Sequence, residues 1–202
     1  MPSSRRVAVA STLLVALLVL GFAVVDASAL RGETAVDSSV GTARVNDASA
    51  SLGDPIVLVV EGDGWLEAAV ADGIEKRLRE RGATVSRRSA VDGPTASALL
   101  LVRVTDAAVA YDPVTPAATL SASFAYVQSG NASLATRMVG GGPTVIRSQS
   151  DAYVVGGDLT IRDRATGVST WPAYQRRIAG HTAAAVVDGL CGAPGMDRPT
   201  FQ

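Results

Sequence analysis

The sequence predicts an α+β fold, a two-layer sandwich in which two helices pack on one face of a mixed, mostly antiparallel sheet. Three patterns lead to this prediction. The β-branched run "PIVLVV" at 55–60 has the composition of a buried strand. Residues 65–82 then repeat apolar side chains at steps of three and four, as an amphipathic helix does. Residues 98–126 alternate apolar and polar side chains, which is typical of an antiparallel sheet with one solvated face.

The elements follow one another in an order that restricts the topology. The helix at 65–82 links the strand at 55–60 to a candidate strand at 83–91, "ATVSRRSAV". Because a helical crossover joins parallel neighbours, we expect these two strands to lie parallel and side by side.

The segment "AATLSASFAYVQSG" shows the cleanest alternation in the chain. Leu120, Ala122 and Phe124 point to one face of the predicted strand, while Ser121 and Ser123 point to the other. The serine face is therefore predicted to be wet, and Ser121 and Ser123 are candidate binding residues on it.

The later elements are predicted from turn residues. The segment 130–142, "GNASLATRMVGGG", has turn chemistry at both ends and is interpreted as a mobile loop or hairpin end. It contains the sequon Asn131-Ala132-Ser133, which makes Asn131 a glycosylation candidate. Residues 157–171, "GDLTIRDRATGVSTW", are interpreted as a hairpin with its return strand at 168–178, before a short Ala-rich helix at 179–190.

The first 29 residues have the pattern of an export signal or of an N-terminal membrane anchor. Arg5 and Arg6 precede the apolar run 7–25, and the small residues Ala27 and Ala29 fit signal peptidase cleavage before Leu30. As a helix, the apolar run would span about 28 Å, close to a full hydrocarbon core, so retention as an anchor stays equally open.

This assignment divides the rest of the chain into three parts. The Ala-, Ser- and Asp-rich residues 30–53 are predicted to be a linker, residues 54–192 the α+β domain, and residues 193–202 a tail.

Composition excludes several function classes. The net charge of −1 lacks the basic footprint expected of a nucleic-acid-binding protein. With one histidine, His181, and one cysteine, Cys191, the chain has neither a disulfide framework nor a standard His/Cys zinc set. We therefore predict no cofactor, no metal site and no catalytic residue.

The enzymatic alternative is a hydrolase that uses carboxylate side chains. The loop "EGDG" places Glu61 and Asp63 after a buried strand and before a helix, where a pair of acids could serve a hydrolase. Carboxylates are favoured at helix N-termini in any case, because of the helix dipole. The other candidate acids are Asp106, Asp112, Asp151, Asp158 and Asp163.

The strand at 55–60, the helix that follows it, "ALLLVRVT" at 98–105 and "GDLTIRDRATGVSTW" together resemble a known class of protein. They are similar to envelope lipoproteins of the lipopolysaccharide-assembly and curli-secretion type, and to related lipoproteins of unknown function. In those families a late strand often ends in Asp, turns through a Thr-Gly or similar pair, and returns with a Trp that packs on the helical layer. Asp163, Thr166, Gly167 and Trp171 stand at the matching places.

The resemblance implies a non-catalytic partner or assembly factor of the cell envelope. The families' lipid-acceptor cysteine is missing near the end of the apolar run, so lipid anchoring is not carried over. We predict an extracytoplasmic binding or assembly protein, either secreted or tethered to the membrane through residues 7–25, with another envelope protein as its partner. An exported hydrolase that uses acidic residues is the alternative.

Overall fold

The computed structural model describes residues 30–43, 50–52, 54–91, 93, 95–141 and 153–197. The predicted export signal and Asp151 lie outside these ranges. The strands are β1 Arg31–Ala43, β2 Ala50–Ser51, β3 Ile56–Glu61, β4 Val85–Arg88, β5 Ala98–Ala110, β6 Ala117–Val127, β7 Val154–Thr166 and β8 Met196–Asp197. The helices are α1 Trp65–Glu80, α2 Ala132–Val139 and α3 Trp171–Cys191.

Six strands form one mixed sheet in the order β1-β7-β6-β5-β3-β4. β3 runs parallel to both β4 and β5, and the remaining neighbours are antiparallel. The α+β class and the mostly antiparallel sheet are thereby confirmed. The crossover argument is confirmed too, because α1 connects the parallel neighbours β3 and β4.

Two helices, α1 and α3, pack together over one face of the sheet. The apolar stripe of α1 is buried at Leu66, Val70, Ile74 and Leu78. The two helices approach closely where Gly73 meets Ala183, since a Cβ on this glycine would lie 2.8 Å from the alanine Cβ. The main core lies between these helices and the sheet side chains Ile56, Leu58, Val60, Leu100, Val102, Leu120, Phe124, Leu159 and Ile161.

The prediction of a loop or hairpin end at 130–142 is wrong, because residues 132–139 form the helix α2. Asn131 caps this helix, and its side-chain oxygen accepts a hydrogen bond from the Leu134 amide at 3.2 Å. Leu134, Ala135 and Val139 are buried against the sheet face opposite α1 and α3, where they pack on strand residues that include Val57, Val59, Leu99, Leu101 and Ala125. A third helix therefore covers part of the second face.

The predicted linker also needs correction, because residues 31–43 form the 13-residue strand β1 at the edge of the sheet. β1 pairs antiparallel with β7 along its whole length. Most residues of this edge strand are exposed, so the strand carries no apolar alternation and its sequence resembles a linker. Within the predicted tail, Met196–Asp197 pairs with Ala50–Ser51, so strands lie on both sides of the predicted domain 54–192.

The predicted hairpin at 157–171 is wrong as well. β7 is a single strand that ends at Thr166, and Trp171 begins the 21-residue helix α3 instead of closing a return strand. Thr170 caps this helix by accepting a hydrogen bond from the Ala173 amide at 3.4 Å, and Pro172 occupies its first turn.

Among the described residues, no helix combines the length and apolar character needed to cross a membrane.

Candidate functional site

The sheet face opposite α1 and α3 is only partly covered, and we call its uncovered part the open face. Residues that pair directly across neighbouring strands share a face of the sheet. One such row runs across five strands, from Glu61 through Arg103, Ser123 and Asp158 to Ser39. We call these five residues the polar row. The polar row lies next to the part of the face that α2 covers. Met138 of α2 packs over Gly156 of β7, two positions before Asp158, and a side chain at Gly156 would clash with Met138.

Charge and hydroxyl pairs hold the polar row together. The Arg103 guanidinium donates from Nε and Nη2 to Glu61 Oε2, both at 2.7 Å. Both side chains are about one-third exposed, so water weakens this ion pair and its net stabilisation is modest. Ser123 Oγ donates to Asp158 Oδ1 at 2.7 Å. Arg103 also lies beside Gly140, the C-terminal cap of α2, where the helix dipole favours a cation.

The next rows extend the open face along the sheet. Ser121 lies between Asp106 on β5 and Thr160 on β7, beyond a register shift in β5. Arg162 on β7 forms an exposed ion pair with Asp37 on β1, with Nη1 and Oδ2 3.3 Å apart. The open face is therefore a surface of hydroxyls and oppositely charged pairs contributed by β1, β7, β6 and β5.

The predicted binding residues are brought together only in part. Glu61 and Ser123 lie in the polar row, and Ser121 lies in the neighbouring row. Asp63 is exposed in the loop that leads into α1, beyond the end of β3. Asn131 is exposed at the start of α2, where its side chain serves as the helix cap.

A second polar group, which the sequence did not predict, lies beneath α3. We call Thr34, Asp163, Arg177 and His181 the buried cluster. Arg177 donates to the Asp163 carboxylate from Nε at 3.1 and 3.2 Å and from Nη2 at 3.0 Å. The Asp163 side chain is 0% exposed and that of Arg177 is 15% exposed. This pair connects β7 to α3 in the interior.

Thr34 connects the edge strand to the same pair. Its hydroxyl donates to Asp163 Oδ1 and accepts from Arg177 Nη2 at 3.2 Å. His181 Nε2 lies 3.3 Å from the Thr34 oxygen. With the hydroxyl proton directed to the carboxylate, the Nε2–H tautomer of His181 can donate a hydrogen bond to the same oxygen.

The electrostatics of the buried cluster have opposing causes. Burial alone would raise the pKa of Asp163, but hydrogen bonds from Arg177 and Thr34, together with the Arg177 charge, hold this pKa below its usual value. The pKa of His181 is lowered, first by burial and then by the positive charge of Arg177. The cluster is therefore a carboxylate–guanidinium pair beside a neutral imidazole, which is the pattern of a structural network.

A hydrolase that uses acidic residues needs a carboxyl group whose pKa is raised. Backbone hydrogen bonds from Val114 and Thr115 lower the pKa of Asp112, and the pKa of Asp163 is also lowered. A general acid that works near neutral pH needs the opposite shift. In the described part of the chain, no group of three His, Cys, Asp or Glu side chains is arranged to hold a metal ion.

Comparisons with known proteins give structural alignments of low TM-score and low sequence identity. No protein-family model matches the sequence, and no curated protein matches it. Two structures of the PelC dodecamer from Paraburkholderia phytofirmans, both 14% identical, align with TM-scores of 0.40 and 0.39. They cover 77% and 75% of this chain, and 96% and 97% of theirs. Lipoprotein GNA1162 from Neisseria meningitidis aligns with a TM-score of 0.34 at 19% identity, over 71% of this chain and 99% of its own. These likenesses show neither a function nor catalysis.

Proposed function

We propose that this chain is a non-catalytic binding or assembly protein of the cell envelope that recognises an envelope protein through its open face. The observation that carries the proposal is the polar row with its neighbouring rows. Four adjacent strands present hydroxyls and complementary charges on a surface that none of the described helices covers. Polar, partly exposed surfaces of this kind suit the recognition of a protein partner.

The sequence supports the cellular place. Residues 1–29 have the pattern of an export signal, so the domain would act outside the cytoplasm, either secreted or held at the membrane through residues 7–25. The net charge of −1 and pI of about 5.8 do not favour a nucleic-acid partner.

The exported hydrolase remains the second candidate, but the contacts of its acids disfavour it. The Glu61 carboxylate is paired with Arg103, and the Asp158 carboxylate accepts from Ser123. A pair of catalytic acids would need one carboxyl kept protonated near neutral pH, usually by burial away from cations. Glu61 has a cation at 2.7 Å instead.

The test adds charge to the open face and leaves the core untouched. In the full chain, Ser121→Arg together with Ser123→Arg should abolish complementation of a deletion strain and co-purification of the partner, because two long cations would cover the polar row. The matched control is Ser89→Arg with Ser129→Arg, two exposed serines outside the sheet strands. Both double variants should keep the thermal midpoint of the parent chain.

Equal loss of function in the two double variants would contradict recognition through the open face. His181→Ala provides the opposing test of catalysis, because it removes the only imidazole in the chain. If this variant stays folded but loses all function, the non-catalytic assignment fails.

A further inference from the structure

One end of the sheet carries exposed aromatic and apolar side chains. It is built from the turn after β5, which contains Tyr111 and Val114, and from the segment between β7 and α3, which contains Val168 and Ser169. Backbone hydrogen bonds join the two segments, from the Gly167 amide to the Val114 carbonyl at 2.9 Å and from the Ser169 amide to the Pro113 carbonyl at 2.9 Å. The Tyr111 hydroxyl donates to the Ser169 carbonyl at 2.7 Å.

Behind this surface stand the two tryptophans of the chain. The rings of Tyr111 and Trp171 meet edge to face with centroids 5.1 Å apart, and those of Trp65 and Trp171 meet at 5.5 Å. Both tryptophans are half-buried. Val114 is 53% exposed, Val168 49% and Tyr111 36%. We call these five side chains the entry end.

The name reflects where the chain enters the sheet. Arg31, the first residue of β1, pairs with Thr166, and Thr166 Oγ1 donates to the Arg31 carbonyl at 3.2 Å. Thr166 stands only two positions before Val168. Leu30 is already buried, with 6% of its surface exposed. The polypeptide that precedes β1 therefore leaves the domain beside the exposed valines.

The length of that preceding polypeptide limits its reach. Only residues 26–29 separate the apolar run 7–25 from Leu30. Even fully extended, the five steps from Val25 to Leu30 cover at most about 17 Å. The headgroup region on each side of a bilayer is itself about 5–8 Å thick. If the apolar run stays in the membrane, Leu30, which directly precedes the Arg31–Thr166 pair beside the entry end, has to lie within about 10 Å of the lipid headgroups.

We propose that the entry end contacts the lipid bilayer in the full chain whose residues 7–25 remain in the membrane. Val114 and Val168 would reach the boundary between headgroups and acyl chains, and the aromatic rings would lie at headgroup level, which they favour. The exposed cations Arg31, Arg164 and Arg176 are close in sequence to these segments and suit anionic headgroups. The exposed acids Glu33, Asp63 and Asp112 are also close in sequence and oppose this attraction. The strands would then stand away from the membrane, with the open face accessible from the side.

A depth measurement tests this orientation. Single cysteines at Val114→Cys and Val168→Cys would carry an environment-sensitive NBD fluorophore, in full chain synthesised cell-free with liposomes of phosphatidylethanolamine and phosphatidylglycerol. The matched control is Val40→Cys, another exposed valine, with 40% exposure, which lies nine positions along β1 from Arg31. At the usual rise of a strand, Val40 lies about 30 Å farther from the entry. The chain that carries only Cys191, which is buried, gives the labelling background.

We expect blue-shifted emission at Val114→Cys and Val168→Cys, with quenching by lipids that carry a shallow nitroxide, and neither effect at Val40→Cys. Lipid-borne quenching distinguishes a bilayer from a protein cover, because a second copy of the chain would shift the emission without quenching. Equal quenching at all three positions, or no quenching at the two entry-end positions, would overturn the proposal. Neither outcome bears on recognition through the open face.

Discussion

Replacement of Asp163 by asparagine tests the buried cluster most directly. The change removes the negative charge from a side chain that is 0% exposed, and it leaves the guanidinium of Arg177, 15% exposed, without its counter-ion. Breaking one partner of a buried ion pair costs about 3–5 kcal/mol of unfolding free energy. The asparagine oxygen can still accept a hydrogen bond and Arg177 keeps some access to water, so we expect the lower end, about 3 kcal/mol.

Urea unfolding at pH 7 measures this loss, and thermal unfolding provides a second measure. For a domain of this size, each kcal/mol corresponds to about 2–4 °C, so the midpoint should fall by about 6–12 °C. The control is Asp158→Asn, which removes an exposed carboxylate that accepts one hydrogen bond from Ser123. This exposed change should stay within about 0.5 kcal/mol.

The dependence on pH separates the ion pair from simple loss of packing. Because the folded-state pKa of Asp163 is lowered, its carboxylate contributes stability above the unfolded-state value near 3.9. That contribution disappears as the pH falls through the folded-state pKa. The difference between the parent chain and Asp163→Asn should therefore shrink in acid. A difference that persists unchanged below pH 4, or one no larger than that of Asp158→Asn, would refute the reasoning.

Three further predictions concern the helices and His181. Gly73→Ala should destabilise the protein by about 1–3 kcal/mol, because the new Cβ would meet the Ala183 Cβ at 2.8 Å. Gly180→Ala on α3 has open space around its Cβ and should stabilise the protein by up to about 1 kcal/mol. Equal effects of the two variants in urea unfolding would contradict the close helix contact. The pKa of His181 is lowered in the folded state, so the free energy of unfolding of the parent chain should fall as the pH drops from about 6.5 through the folded-state pKa. His181→Gln should flatten this dependence of stability on pH. A dependence that survives the substitution would exclude His181 as its source. Asn131→Ala should cost about 1 kcal/mol of stability by removing the cap of α2, while Asn131→Asp keeps the cap and removes the sequon. If both variants lose the mobility shift that a glycan causes on a gel, and only Asn131→Ala loses stability, both roles of Asn131 are established.

The sequence was sufficient wherever burial imposes a period on it. β3 is a continuous apolar run, α1 repeats at helical spacing, and β6 alternates between the two faces of the sheet. The same alternation identified Ser121 and Ser123 on the uncovered side.

The predictions are wrong where the apolar period is weak, and where a helix cap resembles a turn residue. β1 is exposed along most of its length, and so it has no apolar period. α2 is only eight residues long between glycines, although Asn131 as cap and the spacing of Leu134, Ala135 and Val139 indicate a helix. The start of α3 lies within the predicted return strand 168–178, yet Thr170 followed by Pro172 is a typical helix start. The buried cluster could not be predicted, because it depends on the pairing of Thr34 with Asp163.

The pairing of β1 with β7 has a consequence for the order of folding. Thr34 and Asp163 are 129 positions apart along the chain, and the strands between them pair with nearer neighbours. Closing so long a loop is entropically costly, and contacts of this range slow folding. We therefore expect β1 to be the last strand of the large sheet to dock. Until then β7 is itself an edge of 13 residues, a length of unpaired backbone to which a strand of another chain could add. Newly made protein would be most prone to aggregation in this interval, and a holding chaperone that shields β7 would protect it.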